Sequence, residues 1–217
     1  MSAERKRKLV ELATRYQVPI IENDIWGDTV YTGDALPAKA WDQHGMVIYC
    51  NSFSKTLMPG LRLGWVAPGR FYQRLRELKQ ISSITTASAP QLLLGRLMES
   101  GFYAQHLGQL RQHLQAQTRQ TAKLILEAFP TGTRVSQPTG GCVLWVELPH
   151  SIDSREIFAQ ALARGVHVFP GSVFSSGLRH ANHLRINAGS PVHPDIERAI
   201  TSLGGIALGL SGSREPA

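Results

Sequence analysis

Apolar positions along the chain follow two rhythms, one near 3.6 and one of short unbroken runs. Leu9, Leu12, Ala13 and Tyr16 keep helical spacing. Ser2 is suited to cap that helix, Glu4 sits in its first turn, and Pro19 limits it. The runs Val18–Ile21, Met46–Cys50 and Leu63–Ala67 read as buried strands. The first strand runs into the polar cluster Glu22-Asn23-Asp24, at the C-terminal end where open α/β sheets bind ligands. Tyr31 to Gly45 reads as loop, with Gly33-Asp34 and Pro37 as turn signals. Pro68-Gly69 turns the chain into a helix with Phe71, Leu75 and Leu78 on one face. Ser88-Ala89-Pro90 opens another, apolar from Leu92 to Met98. From Tyr103 to Phe129 one long helix carries a stripe of Leu107, Leu110, Leu114, Leu124 and Ile125, a length that suits a link between domains.

After Pro130 and Gly132 the pattern changes. Cys142–Leu148, Val166–Phe169 and His183–Ala188 read as strands. Ser154–Arg164 reads as a helix, and Ile196, Ala199, Ile200 and Leu203 mark a last one. These elements make a small α+β domain, and the tail from Ser211 is expected to be disordered.

Composition narrows the class. With 42% hydrophobic and 18% charged residues, the 217-residue chain carries a real core. No apolar run approaches the roughly 20 residues that span a bilayer, and Met1 to Lys8 lacks the apolar core of a secretory signal. Cys50 and Cys142 form neither a disulfide framework nor metal-ligand spacing. The expected compartment is the cytoplasm, with no membrane and no metal. The net charge of +7 permits acidic partners. Arg5-Lys6-Arg7-Lys8 is the densest basic cluster and reads as a solvated helix face, because no nucleic-acid motif accompanies it.

The chemistry is concentrated in Ser52-Phe53-Ser54-Lys55-Thr56-Leu57-Met58-Pro59-Gly60-Leu61-Arg62, a polar loop between two apolar runs. A lysine amine condenses with aldehydes. Hydroxyls and a guanidinium hold a phosphate dianion. Ser52 to Lys55 also matches the Ser-x-x-Lys signature of serine acylases, but the companion Ser-Asp-Asn and Lys-Thr-Gly elements are absent.

This loop resembles the cofactor-lysine motif of pyridoxal-phosphate enzymes of the class I aminotransferase type. Residues 18–28, 52–65, 140–149, 165–171 and 183–187 together resemble the aminotransferase-like domain of the MocR subgroup of GntR-type transcriptional regulators. The resemblance implies an α/β chain: part of a fold-type-I large domain (a mostly parallel sheet with helices) plus a small α+β C-terminal domain. The implied divisions are a partial cofactor-binding domain over 1–102, an interdomain helix over 103–130, the small domain over 131–210 and a tail over 211–217.

By the same resemblance, pyridoxal 5'-phosphate is the cofactor and Lys55 its Schiff-base lysine. Ser52, Ser54 and Arg62 match positions around the phosphate. As rival roles, the serines cap the turn and Arg62 joins a structural ion pair. Arg185 matches the arginine that takes a substrate carboxylate, with Arg179 as competitor. Two departures stand out. Asn23 falls where the family has an aspartate at the pyridine nitrogen, and Trp26 where a tyrosine is common. Asp24 serves instead if the strand end shifts by one residue, and adjacent strand residues face opposite sides. The sequence leaves open which of Asn23 and Asp24 faces the ring. In addition, Met1 aligns midway through the family's large domain, so the chain is expected to be a fragment, inactive by itself.

Three functions follow. The first is amino transfer between amino acids and 2-oxo acids. The second is effector sensing in a transcriptional regulator, homodimeric in full-length form and touching DNA only through an N-terminal domain absent here. The third is a truncated product that neither folds alone nor binds cofactor.

Overall fold

The computed structural model describes residues 1–33, 36–177 and 179–212. Asp34 of the expected Gly33-Asp34 turn lies outside them, as does the expected tail beyond Gly212. The chain forms two compact units, Met1–Gln112 and His113–Ala217, and the division falls within a long helix.

In the first unit, α1 (Ala3–Tyr16) begins where the Ser2 side chain accepts the amide of Arg5. It closes on Gln17, whose φ of 55° is left-handed, and the Val18 amide donates back to Ala13 O at 3.0 Å. That bond removes Val18 from any sheet ladder. Strand β1 therefore runs Ile20–Asn23, two residues later than the apolar run implies. It pairs in parallel with β2 (Val47–Ser52), which pairs antiparallel with β3 (Gly64–Ala67), giving the order β1-β2-β3. The helices α2 (Tyr72–Ser83), α3 (Ser88–Glu99) and the first half of α4 (Phe102–Ala128) follow.

The connection from β1 to β2 is more ordered than its turn-rich sequence implies. The Glu22 carboxylate accepts the amides of Ala38 and Lys39 at 2.7 and 3.0 Å, holding the 3₁₀ turn Ala38–Trp41. Asp42 accepts the amides of Met46 and Val47, both at 2.8 Å, and the Lys39 ammonium at 2.8 Å. Burial would raise the Asp42 pKa, but these donors outweigh it and bring it down to about 2.

The second unit holds the rest of α4, then β4 (Arg134–Val135), β5 (Val143–Glu147), α5 (Ser154–Ala163), β6 (Phe169–Pro170), β7 (His183–Asn187) and α6 (Pro194–Gly212). The sheet order is β4-β5-β7-β6, antiparallel throughout. Leu144, Val146, Leu184 and Ile186 alternate onto one face. They pack with Ile125, Ile157, Ala161, Ile200 and Leu203. The strand expected over Val166–Phe169 is reduced to Phe169–Pro170. The reason repeats that of Val18: Gly165 is left-handed at φ 73°, and the Val166 amide closes α5 on Ala161 O at 2.9 Å. Helix α6 extends through Ser211, where the tail was expected to begin.

Candidate functional site

Strand β2 ends at Ser52 and passes into a tight turn whose inward residues are fixed by packing. Phe53 is buried edge-to-face against Tyr103, ring centroids 5.8 Å apart. Thr56 is buried too: its hydroxyl pairs with the Tyr103 hydroxyl at 3.0 Å, and its carbonyl accepts His106 Nε2–H at 2.6 Å. The Leu57 amide closes the turn on Phe53 O at 2.9 Å. With Phe53 and Thr56 held inward, Lys55 is exposed, its Nζ 5.2 Å from the centre of the Trp26 ring. Among the described residues no hydrogen bond or ion pair holds that amine.

The neighbouring candidates gather at the same turn. Ser52 Oγ accepts the Ser54 amide at 3.2 Å, and it lies 3.0 Å from Ser54 Oγ and 3.3 Å from Leu63 O. The turn-capping role of these serines is thus present in the structure. A hydroxyl carries one donor and two acceptor positions, so this role leaves Ser52 capacity for a further partner. Arg62 is exposed and left-handed at φ 48°, an uncommon conformation for a bulky residue. Its guanidinium has no hydrogen bond or ion pair among the described residues.

The β1–β2 register separates Asn23 from Asp24. Asn23 pairs with Cys50 and so lies on the face that carries Cys50 and Ser52. Asp24 follows the alternation of Glu22, opposite Tyr49. Asp24 Oδ2 accepts the Tyr49 hydroxyl at 3.1 Å. Asn51 Nδ2 lies 3.2 Å from that hydroxyl and 3.4 Å from Asp28 Oδ2, and Arg111 Nε donates to Asp28 O at 2.8 Å. Burial is the main cause that pushes the Asp24 carboxyl up. The Tyr49 hydrogen bond opposes it and Glu22 adds to it. Burial and Asp24 push the Tyr49 phenol up in turn. A Cβ at Gly27 would lie 2.2 Å from Asp24 Oδ2, so a side chain there would displace the Asp24 carboxylate. Sequence reasoning missed Tyr49, Asn51, Asp28 and Arg111. The available signal was Asn51, a polar residue that continues the buried alternation of Val47 and Tyr49.

Arg185 lies in the second unit, on β7, with Trp145 and Phe169 as its cross-strand partners. Its guanidinium carbon is 4.7 Å from the Phe169 ring centre and 5.3 Å from that of Phe174. Arg179 lies outside the strand and is exposed.

Residues 1–203 match the family described as aminotransferase class I and II. The chain belongs to that family. Enzymes of this class generally use pyridoxal phosphate. An uncharacterized HTH-type transcriptional regulator of Escherichia coli, YdcR, is 33% identical over 205 residues, which are 94% of this chain and 44% of the regulator. Aromatic-amino-acid aminotransferase 1 of Thermococcus litoralis is 33% identical over 189 residues, 86% of this chain and 45% of the enzyme. The chain therefore spans less than half the length of these relatives. The kynurenine aminotransferase of Pyrococcus horikoshii, solved with PMP, superposes with a TM-score of 0.87 at 28% identity, covering all of this chain and 53% of its own. The α/β architecture here is thus part of the fold-type-I aminotransferase fold. Among the described residues no helix is long and apolar enough to cross a membrane.

Proposed function

We propose that this chain carries the cofactor lysine of a pyridoxal-phosphate-dependent aminotransferase-type protein, whose reaction is amino transfer between amino acids and 2-oxo acids. The observation that supports it is the exposed Lys55 amine beside Trp26, on a turn flanked by Ser52, Ser54 and Arg62. The donor set fits the cofactor: an amine for its aldehyde, and two hydroxyls and a guanidinium for its phosphate. Asn23 shares the Ser52 face and is the residue of choice for the pyridine nitrogen, while Asp24 is engaged by Tyr49 on the other face.

When bound, the cofactor supplies an electron sink for the substrate carbon. The protein's residues do the rest. Lys55 attaches the cofactor and carries a proton at the reacting carbon. Asn23 holds a proton at the ring nitrogen less firmly than a carboxylate would. Trp26 offers a ring face but no acceptor, since its indole nitrogen only donates. Arg185 takes the substrate carboxylate as a bidentate pair.

The test is the visible absorbance of the purified chain with added pyridoxal phosphate, followed by borohydride reduction and peptide mapping. The expected result is a band in the wild type, a reduced label on Lys55, and neither in Lys55→Ala. A label on another lysine, or a band that persists in Lys55→Ala, overturns the assignment.

A second reading is effector sensing in a transcriptional regulator. It is favoured by two HTH-type regulators of E. coli, YdcR and YjiR, at 33% and 34% identity. In that form the protein acts in the cytoplasm as a homodimer and meets DNA through a separate domain. A helix-turn-helix reading frame joined upstream of Met1 in the encoding DNA supports this reading, and an aminotransferase segment there favours the first.

A further inference from the structure

Lys55 and Trp26 sit on separate turns, one past the end of β2 and the other past the end of β1. The Asp24 amide donates to Cys50 O at 2.9 Å. Past that bond, among the described residues, no backbone hydrogen bond joins residues 25–30 to residues 53–57. Each turn closes on itself instead. The Thr29 amide donates to Trp26 O at 3.0 Å, and the Leu57 amide to Phe53 O at 2.9 Å. The Lys55 stem is flexible and its amine is unheld, so its place follows from whatever fixes the two turns relative to each other.

That link runs through α4. Tyr103, Leu107 and Arg111 recur at every fourth position and share one face of the helix. Leu107 is buried in the cluster that holds Phe53. Arg111 Nε donates to Asp28 O at 2.8 Å and anchors the first turn. His106 Nε2 lies 2.6 Å from Thr56 O and anchors the second. Between these anchors stands one hydroxyl. Tyr103 Oη meets the Asp28 carboxylate and lies 3.0 Å from Thr56 Oγ1. A carboxylate only accepts, so Tyr103 donates to Asp28 and Thr56 donates to Tyr103. Tyr103 and Thr56 are both buried, and the Tyr103 ring is fixed edge-to-face on Phe53. Asp28 is two residues from Trp26, and Thr56 is next to Lys55.

We infer that Tyr103 is a positioning residue for Lys55: its hydroxyl ties the turn carrying Trp26 to the turn carrying Lys55 and so keeps the amine over the indole face. For its chemical purpose this rests on the reading of Lys55 as the cofactor lysine. An amine held in one place meets an incoming aldehyde in a defined geometry.

The experiment is NMR of the full chain with isotope-labelled methyl groups on the lysine amines, which needs no cofactor. Lys55→Arg identifies the Lys55 signal. A ring shields nuclei above its face, so the wild-type signal is expected upfield of the other lysines, and Trp26→Leu returns it to their position. Tyr103→Phe keeps the ring against Phe53 and removes only the hydroxyl. It is expected to lose roughly half or more of the displacement, the effect of one hydrogen bond on a two-state population. Asp28→Asn keeps an acceptor for Tyr103 and keeps the displacement. Asp28→Ala loses as much as Tyr103→Phe, and the double variant loses no more. Urea unfolding of each variant shows that the folded state is being read. No displacement in the wild type, or a displacement unchanged in Tyr103→Phe, overturns the inference. Unchanged displacement with lowered stability assigns Tyr103 a structural role alone. The borohydride label with pyridoxal phosphate reads the cofactor assignment separately. A wild type that shows the Tyr103-dependent displacement but takes no label on Lys55 overturns that assignment, while the tie between the turns stands.

Discussion

Tyr49 donates its hydroxyl to Asp24 across the β1–β2 pair, at 3.1 Å, and so commits Asp24 to the sheet face opposite Ser52. Asp24 holds its proton more tightly in the fold than its ordinary value of 3.8, mainly because of burial. A raised carboxyl pKa contributes stability that is full below the unfolded value and lost as pH rises through the folded value. Asp24→Asn keeps an acceptor for Tyr49 and removes the buried charge. It is expected to raise the unfolding temperature at pH 7 and leave it unchanged at pH 3. A larger loss at pH 7 than at pH 3 would show that the charge stabilises the fold. Asn23→Asp, on the other face, is expected to strengthen cofactor retention, read from the absorbance band during dialysis.

Asp42 carries the opposite sign. Its folded pKa of about 2 lies below the ordinary 3.8, so its stability is present above 3.8 and lost as pH falls toward 2. The shift corresponds to about 2 kcal/mol. Asp42→Asn is expected to destabilise the chain by roughly that amount at pH 7 and by much less at pH 2, measured by urea unfolding at both. A penalty independent of pH would assign the role to hydrogen bonding without charge.

Thr56 and Tyr103 hold the lysine turn from beneath. Thr56→Val removes one hydrogen bond of a buried hydroxyl pair and leaves Tyr103 with Asp28 as its partner. A cost of about 1 kcal/mol is expected, together with a lower yield of the borohydride label on Lys55. A full label in a destabilised variant would show that the turn keeps its shape without the pair.

Adjacent glycines in α6 make a paired test. A Cβ at Gly204 would lie 2.2 Å from the Ala128 carbonyl oxygen, whereas at Gly205 nothing lies within 4 Å. Gly204→Ala is expected to destabilise by more than about 2 kcal/mol through helix displacement. Gly205→Ala is expected to stabilise by about 1 kcal/mol through helix propensity. Chemical denaturation separates the two, and a similar effect at both sites would mean that α6 does not approach α4 so closely.

Much of this organisation is legible in the residue pattern. The apolar stripe of α4, the alternation of Leu144 and Val146 and the proline and glycine punctuation place most elements within two residues, because helix and strand periods write directly onto the chain. Boundaries failed where a backbone amide was spent elsewhere. Val18 and Val166 both read as strand openings, and both close a helix through a left-handed cap instead. The short strand β4 went unseen because two residues carry no period.

The candidate site divides in the same way. The residue types at Ser52, Lys55, Arg62 and Arg185 follow from the chemistry of aldehydes, phosphates and carboxylates, and a linear motif suffices to point to them. The facing of Asn23 and Asp24 depends on which amide pairs with which carbonyl across two strands whose partners lie 27 residues apart, and only the tertiary register decides that. The rings that hold Arg185 come from β6 and the turn after it, brought to β7 by sheet pairing. Local sequence determined which functional groups this protein has. Long-range pairing decided which of them share a face, because side-chain direction in a strand is set by its neighbours in the sheet.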